Sequence, residues 1–250
     1  MELSEMITII REDYLDDTFS GWQSASDAEK EDQFLWSDSA LLRYITEAQR
    51  QACNRTDFLF DDTTFSITLV VGTHTYAINN KITFIENIDF DANKKVTHRS
   101  VEEVKRNNTD WRTASGMTGN DLVYTVRGRK MRVYPIPDAV DAGKVLTLDT
   151  FRLPLEPLTS VGDDLEIPDE YHRDLVWWVL YEAYSKQDAD GYDKDKGLGY
   201  LAQFNQAFGE YVPSEVRLNQ LQEDSSLRTR AIDYIGSSSS SSSDESEWYN

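Results

Sequence analysis

The 250-residue chain holds one cysteine, Cys53, which excludes an intrachain disulfide and a cysteine-based zinc site and fits a reducing compartment. Cys53 follows Ile45, Ala48 and Ala52 on one helical face, so its thiol reads as a small core hydrophobe rather than a nucleophile. Long apolar runs are missing as well. The richest, 175–184, is broken by Glu182 and falls well short of the ~18–20 residues that span a bilayer. The start, MELSEMITIIREDYLDD, has neither the basic nor the apolar region of a signal peptide, so a soluble, non-secreted protein is expected. Lys and Arg are scarce: 25 stand against 45 Asp and Glu, for a net charge of −20. That balance disfavours a surface that clamps phosphates. It suits solubility, basic partners and a channel wall to which DNA does not adhere.

Chemistry-bearing motifs are absent too. There is no G-x-x-x-x-G-K-[ST], no G-x-G-x-x-G after a strand and no G-x-S-x-G. His74, His98 and His172 show no zincin or triad spacing. Asp188, Asp190, Asp193 and Asp195 invite a calcium reading, but the EF-hand register fails: counted from Asp193, Leu198 falls where the loop needs glycine. Carboxylates are abundant enough for a glycosidase pair, yet abundance alone defines no site. The sequence therefore predicts no catalytic residue, no metal and no cofactor.

What is present is enough apolar material to fold, with 39% hydrophobic and 12% aromatic residues. Leu3, Met6, Ile7, Ile10 and Tyr14 recur at threes and fours and predict a helix over 2–15. The Ser- and acid-rich stretch 19–33 reads as a loop, with Trp22 as a local anchor. Ser37 or Asp38 then caps a helix over 38–55, whose apolar face carries Leu41, Leu42, Ile45, Ala48, Ala52 and Cys53. After Pro168 the helical period returns, predicting helices over 169–187 and 194–211 that pack as a hairpin, with a weaker continuation over 214–222.

Between these halves the texture is β. Phe65, Ile67, Leu69 and Val71 alternate with Ser66, Thr68 and Val70, and Gly72-Thr73 reads as the turn of a hairpin returning over 75–78. Further strands are expected at 82–90, 122–126, 130–134 and 145–153, forming a small antiparallel sheet or barrel. Residues 100–106 suggest one helical turn. The stretch 109–120, with Trp111, Gly116 and Gly119, reads as a long loop suited to contacts. Arg127, Arg129 and Lys130 flank Gly128 at a predicted hairpin tip, either as a solvated turn or as a contact for an acidic or phosphate-bearing partner.

The remainder, 223–250, reads as an extended acidic tail. Ser237–Ser243 is an unbroken serine run with nothing to build a core, followed by Asp244, Glu245 and Glu247. Tyr234, Ile235, Trp248 and Tyr249 are large groups that a purely solvating tail has no need to carry. A docking peptide and a solvated end both remain open.

Three segments in order, FLWSDSALLRYITEAQRQACNRTD (34–57), MRVYPIPD (131–138) and LEIPDEYHRDLVWWVLYEAYSKQDAD (165–190), resemble the head–tail adaptor (connector, head-completion) proteins of tailed bacteriophages. The resemblance covers roughly residues 1–212. It implies a homo-oligomeric ring, usually dodecameric, in the virion neck. There it docks beneath the portal protein, extends the channel through which double-stranded DNA passes without sequence-specific binding, and offers a platform to tail or nozzle proteins. The serine run and acidic end match no part of that pattern.

The expected fold class is α+β. A discontinuous helical bundle, 1–57 plus 165–222, carries an inserted β-rich region, 58–164, and the tail 223–250. A second reading is a tail or baseplate accessory module whose β-rich part binds a protein or glycan. A third, a virion-borne cell-wall hydrolase, has no sequence feature in its favour.

Overall fold

Helix α3 (Asp38–Arg55) forms over the expected residues, with the Ser37 hydroxyl accepting from Ala40 N at 3.3 Å. The computed structural model describes residues 1–213 and Val216, apart from 92–93, 108, 118–120 and 187–190. With α1 (Leu3–Ile9), α5 (His172–Ser185) and α6 (Lys194–Phe208), α3 encloses an apolar core that includes Met6, Ile45, Leu175, Val179 and Phe204. The core forms because each helix presents its apolar stripe inward. As expected, α5 and α6 lie against each other.

Several helical boundaries differ from the sequence reading, each for a local reason. The first helix is α-helical only to Ile9 and continues as π-helix over Ile10–Leu15, closing with Asp17 N on Arg11 O at 3.1 Å. The predicted helix 169–187 begins as a 3₁₀ turn, Asp169–Tyr171, and its α-helical part ends at Ser185. The helix expected to reach 211 stops at Phe208, because Gly209 takes φ 80°, a value open to glycine and closed to helix continuation. The stretch 19–33 is not a loop throughout. A 3₁₀ turn at Trp22–Ser24 leads into α2 (Asp27–Gln33), started by a reciprocal capping box between Ser26 and Glu29. Trp22 does anchor it, its ring 5.8 Å from that of Phe34. The suggested turn at 100–106 is a full α4 (Val101–Asn107).

The β-rich stretch forms two sheets rather than one sheet or barrel. The short strands are β1 (Phe60–Asp61), β2 (Ser66–Thr68), β3 (Thr75–Ala77), β5 (Lys94–Lys95) and β6 (Thr97–His98). The longer ones are β4 (Ile82–Phe90), β7 (Val123–Arg127), β8 (Lys130–Tyr134) and β9 (Val145–Arg152). One sheet runs β1-β9-β4-β5, with β2 also paired to β9; the other runs β3-β8-β7-β6. All pairs are antiparallel except β6 with β7. The predicted hairpin over 65–78 is therefore wrong in its pairing: β2 and β3 follow each other in sequence but join different sheets. Ile85, Ile88, Leu146 and Leu148 of the first sheet meet Tyr124, Val126, Met131 and Val133 of the second in a separate apolar core.

Arg152, at the end of β9, ties the sheets to the helices. Its Nε donates to Asp61 Oδ2 at 2.7 Å and its Nη1 to Glu166. Glu166 in turn accepts from Leu155 N at 2.7 Å and donates its own N–H to Gln49 Oε1 of α3 at 3.0 Å. The fold class is α+β, as expected.

Candidate interaction surfaces

The residues that invited a chemical reading serve the fold. Cys53 is buried in the helical core, and its thiol is pushed up to about 12 by burial first and by Glu166 next. His172 is buried, with ring nitrogens 3.0 Å from Met1 O and 2.7 Å from Ile167 O. His98 sits edge-on to Tyr124 at 5.0 Å, and burial lowers its pKa. Burial, then the charge of Arg132, lowers that of His74. Asp193 caps α6, accepting from Lys196 N at 3.0 Å, while Asp188 and Asp190 lie outside the described residues. Among the described residues no group of three or more His, Cys, Asp or Glu is placed to hold a metal ion. No helix among them is long and apolar enough to cross a membrane.

The basic turn is where the sequence put it. Strands β7 and β8 pair Arg127 with Lys130 across Gly128-Arg129, and Gly128 takes φ 57°, the positive value such tight turns need at their first central position. Its cations are not equivalent. Arg127 and Lys130 are exposed, whereas Arg129 donates to Ile82 O at 2.6 Å and so braces the turn against β4. The other residues marked for docking, Tyr234, Ile235, Trp248 and Tyr249, lie outside the described residues.

Three further patches emerge only in the folded chain. On one face of the first sheet, Phe60, Phe151 and Phe84 stand in register across β1, β9 and β4, with ring centroids 5.6 and 6.2 Å apart. Phe60 is 51% exposed. Val70, Val71 and Val140, each more than half exposed, share a loop tip where Gly72 N donates to Pro137 O at 2.9 Å. The third patch surrounds Trp111, in the long loop that sequence marked for contacts. Arg132, Arg112 and Lys105 lie 4.4, 4.8 and 5.5 Å from the centre of its indole. None of the three is legible locally, since each gathers residues from distant segments.

Trp177 and Trp178 place apolar groups on more than one side of α5, and the chain itself packs against both. Trp178 packs on Phe204 at 5.1 Å, and Trp177 stacks on Tyr200 at 5.9 Å and meets Tyr14 edge-on at 5.6 Å. Exposed aromatic and apolar groups that the two cores leave unused are features expected of the class of proteins that work through contact with other macromolecules. Comparison with protein families gives that class a definite member: the model for the SU10 adaptor protein matches residues 1–230. The chain belongs to this family of phage head–tail adaptors and is a structural component of the virion. No curated protein matches it.

Proposed function

We propose that the protein assembles as a dodecameric ring beneath the portal, extends the DNA channel and provides the platform on which the tail is built. The observation that carries this reading is the family match, which spans both the helical frame and the sheets. The discontinuous helical bundle acts as the ring's frame and the β-rich region projects from it as an inserted domain. Buried interface supplies the binding free energy, and no chemical step is required. The Phe60–Phe151–Phe84 row and the Val70–Val71–Val140 tip are suited to such interfaces, because burying exposed apolar area is the main favourable term in association. The excess of carboxylates suits a channel wall, where repulsion keeps passing DNA from adhering.

Electron-microscopic imaging of the protein mixed with purified portal tests the reading. An added ring whose symmetry matches the portal is expected. Failure to bind portal, whether the protein is supplied as monomer or pre-assembled, would rule it out.

A further inference from the structure

The charge of this chain is unevenly distributed. Residues 94–132 hold ten Lys or Arg against four Asp or Glu, in a protein whose net charge is −20. Folding concentrates part of that excess around Trp111, where Lys105 of α4, Arg112 of the following loop and Arg132 of β8 converge on one indole. Several other buried and half-buried cations are answered by carboxylates, Arg11 by Asp17 and Asp38, Arg152 by Asp61 and Glu166, and Arg99 by Glu103, whereas Arg55 lies singly among the rings of Trp178, Phe204 and Tyr211. Among the described residues, Lys105, Arg112 and Arg132 form no ion pair, and Arg132 Nε is buried without a hydrogen-bond partner. Asp110, the neighbouring carboxylate, accepts from Tyr134 Oη at 3.2 Å. Burial, and after it the charge of Arg112, lowers the pKa of Arg132, as expected where like charges are gathered without an anion between them. Beside the cations, Val101, Val104 and Tyr134 join Trp111 in lining a small recess.

The chain itself carries a matching ligand. From 231 to 250 there are four acidic residues and no Lys or Arg, and three of the acids, Asp244, Glu245 and Glu247, directly precede Trp248-Tyr249. About 30 residues separate Pro213 from Asp244, which at ~3.3–3.6 Å per residue reach on the order of 100 Å when extended, enough to cover any face of the subunit. We infer that the Trp111 cluster is the docking site of the acidic segment Asp244–Tyr249, with its carboxylates among Lys105, Arg112 and Arg132 and its aromatic pair against the rim of the recess. The serine run then serves as a spacer that brings no competing side chain to the site. The contact stands whether or not the chain forms a ring.

The test uses the full chain with its own segment silenced by Asp244→Asn, Glu245→Gln and Glu247→Gln, and a fluorescent peptide of sequence 237–250 followed by anisotropy. Saturable binding is expected, weakened at least about tenfold when salt is raised from low to physiological strength and screens the charges. Wild-type chain, whose own segment competes, should bind the peptide more weakly than the silenced chain. Lys105→Glu with Arg112→Glu should abolish binding; both residues lie outside the strands with exposed side chains, and circular dichroism confirms that the variant folds. Absence of saturable binding overturns the inference, as does equal binding of a peptide with its three acids neutralised, or binding unchanged by the double variant. A short DNA duplex that binds the same cluster more tightly than the peptide also overturns it, by making phosphate the ligand.

Discussion

Arg11 and Asp17 form a buried ion pair at 2.5 Å across the end of the π-helical turn, brought together because Asp16 takes φ 50°. The pair fastens two segments. The same Asp17 carboxylate accepts from Leu35 N and Trp36 N, while Arg11 Nη2 donates to Trp36 O and to Asp38 Oδ1, each at 2.7 Å. Phe34 lies against the guanidinium, its ring centre 3.6 Å away. Arg11→Met is expected to destabilise the fold by about 3–5 kcal/mol, because Asp17 would stay buried without its counter-charge. Urea unfolding at neutral pH measures the loss, and Asp17→Leu in the same chain should recover part of it.

Glu182 should show the opposite behaviour. It is half-buried on α5, and burial first, then the charge of Glu47, raises its pKa above the ordinary glutamate value. A carboxyl raised in the fold favours the protonated native state, so its stabilising effect is present below the unfolded value of about 4.3 and is lost as pH rises through the folded one. Glu182→Gln is therefore expected to stabilise at pH 7 by roughly 0.5 kcal/mol, a figure discounted for solvent screening, with the difference vanishing near pH 4. Melting temperatures of the two proteins at both pH values decide it.

Cys53 should be inert in the native protein. A thiol pushed up to about 12 presents almost no thiolate at pH 8, and its burial blocks access. Alkylation by iodoacetamide at that pH should be negligible without denaturant and complete in urea, as read by mass spectrometry. Rapid labelling of the folded chain would show that the α3 face is not packed.

Gly191 tests how closely the segment before α6 approaches Trp36. A Cβ there would sit 2.8 Å from the edge of the indole, which is itself buried in the helical core. Gly191→Ala is expected to cost about 1–3 kcal/mol through overpacking, measurable as a lowered urea midpoint.

What the sequence made legible is what periodicity and capping encode. The stripe of α3 and its Ser37 cap are local, so the helix could be placed to the residue, and β4 and β8 were bounded by turn residues in the same way. Alternation at 65–71 reported a strand period but not a partner, and the partner of β2 is β9, some eighty residues away. Helix α2 was missed because it lacks an apolar stripe, although Ser26 and Glu29 stand at capping-box spacing. The Arg11 pairing and the Trp111 cluster join residues at separations that follow no period. Of the candidate surfaces, the basic turn is legible as a whole, since a Gly between cations at the end of two alternating runs is a local signal, whereas the sequence marks the Trp111 loop for contacts without its gathered cations.

The joint at Arg152 bears on how firmly the first sheet is held to the helices. Asp61, Arg152, Glu166 and Gln49 link the first sheet to α3 through successive directional bonds, and Thr46 Oγ1 of the same helix accepts from Leu158 N at 3.1 Å. Burial works to raise the pKa of Asp61, but hydrogen bonds from Thr64, Thr63 and Arg152 outweigh it and hold the carboxyl well below the usual range, so the first bond stays charged at any physiological pH. Apolar contact is non-directional and permits sliding; a chain of ion pairs and hydrogen bonds fixes an angle. The first sheet is therefore set against α3 by a charged, directional joint rather than by apolar contact alone.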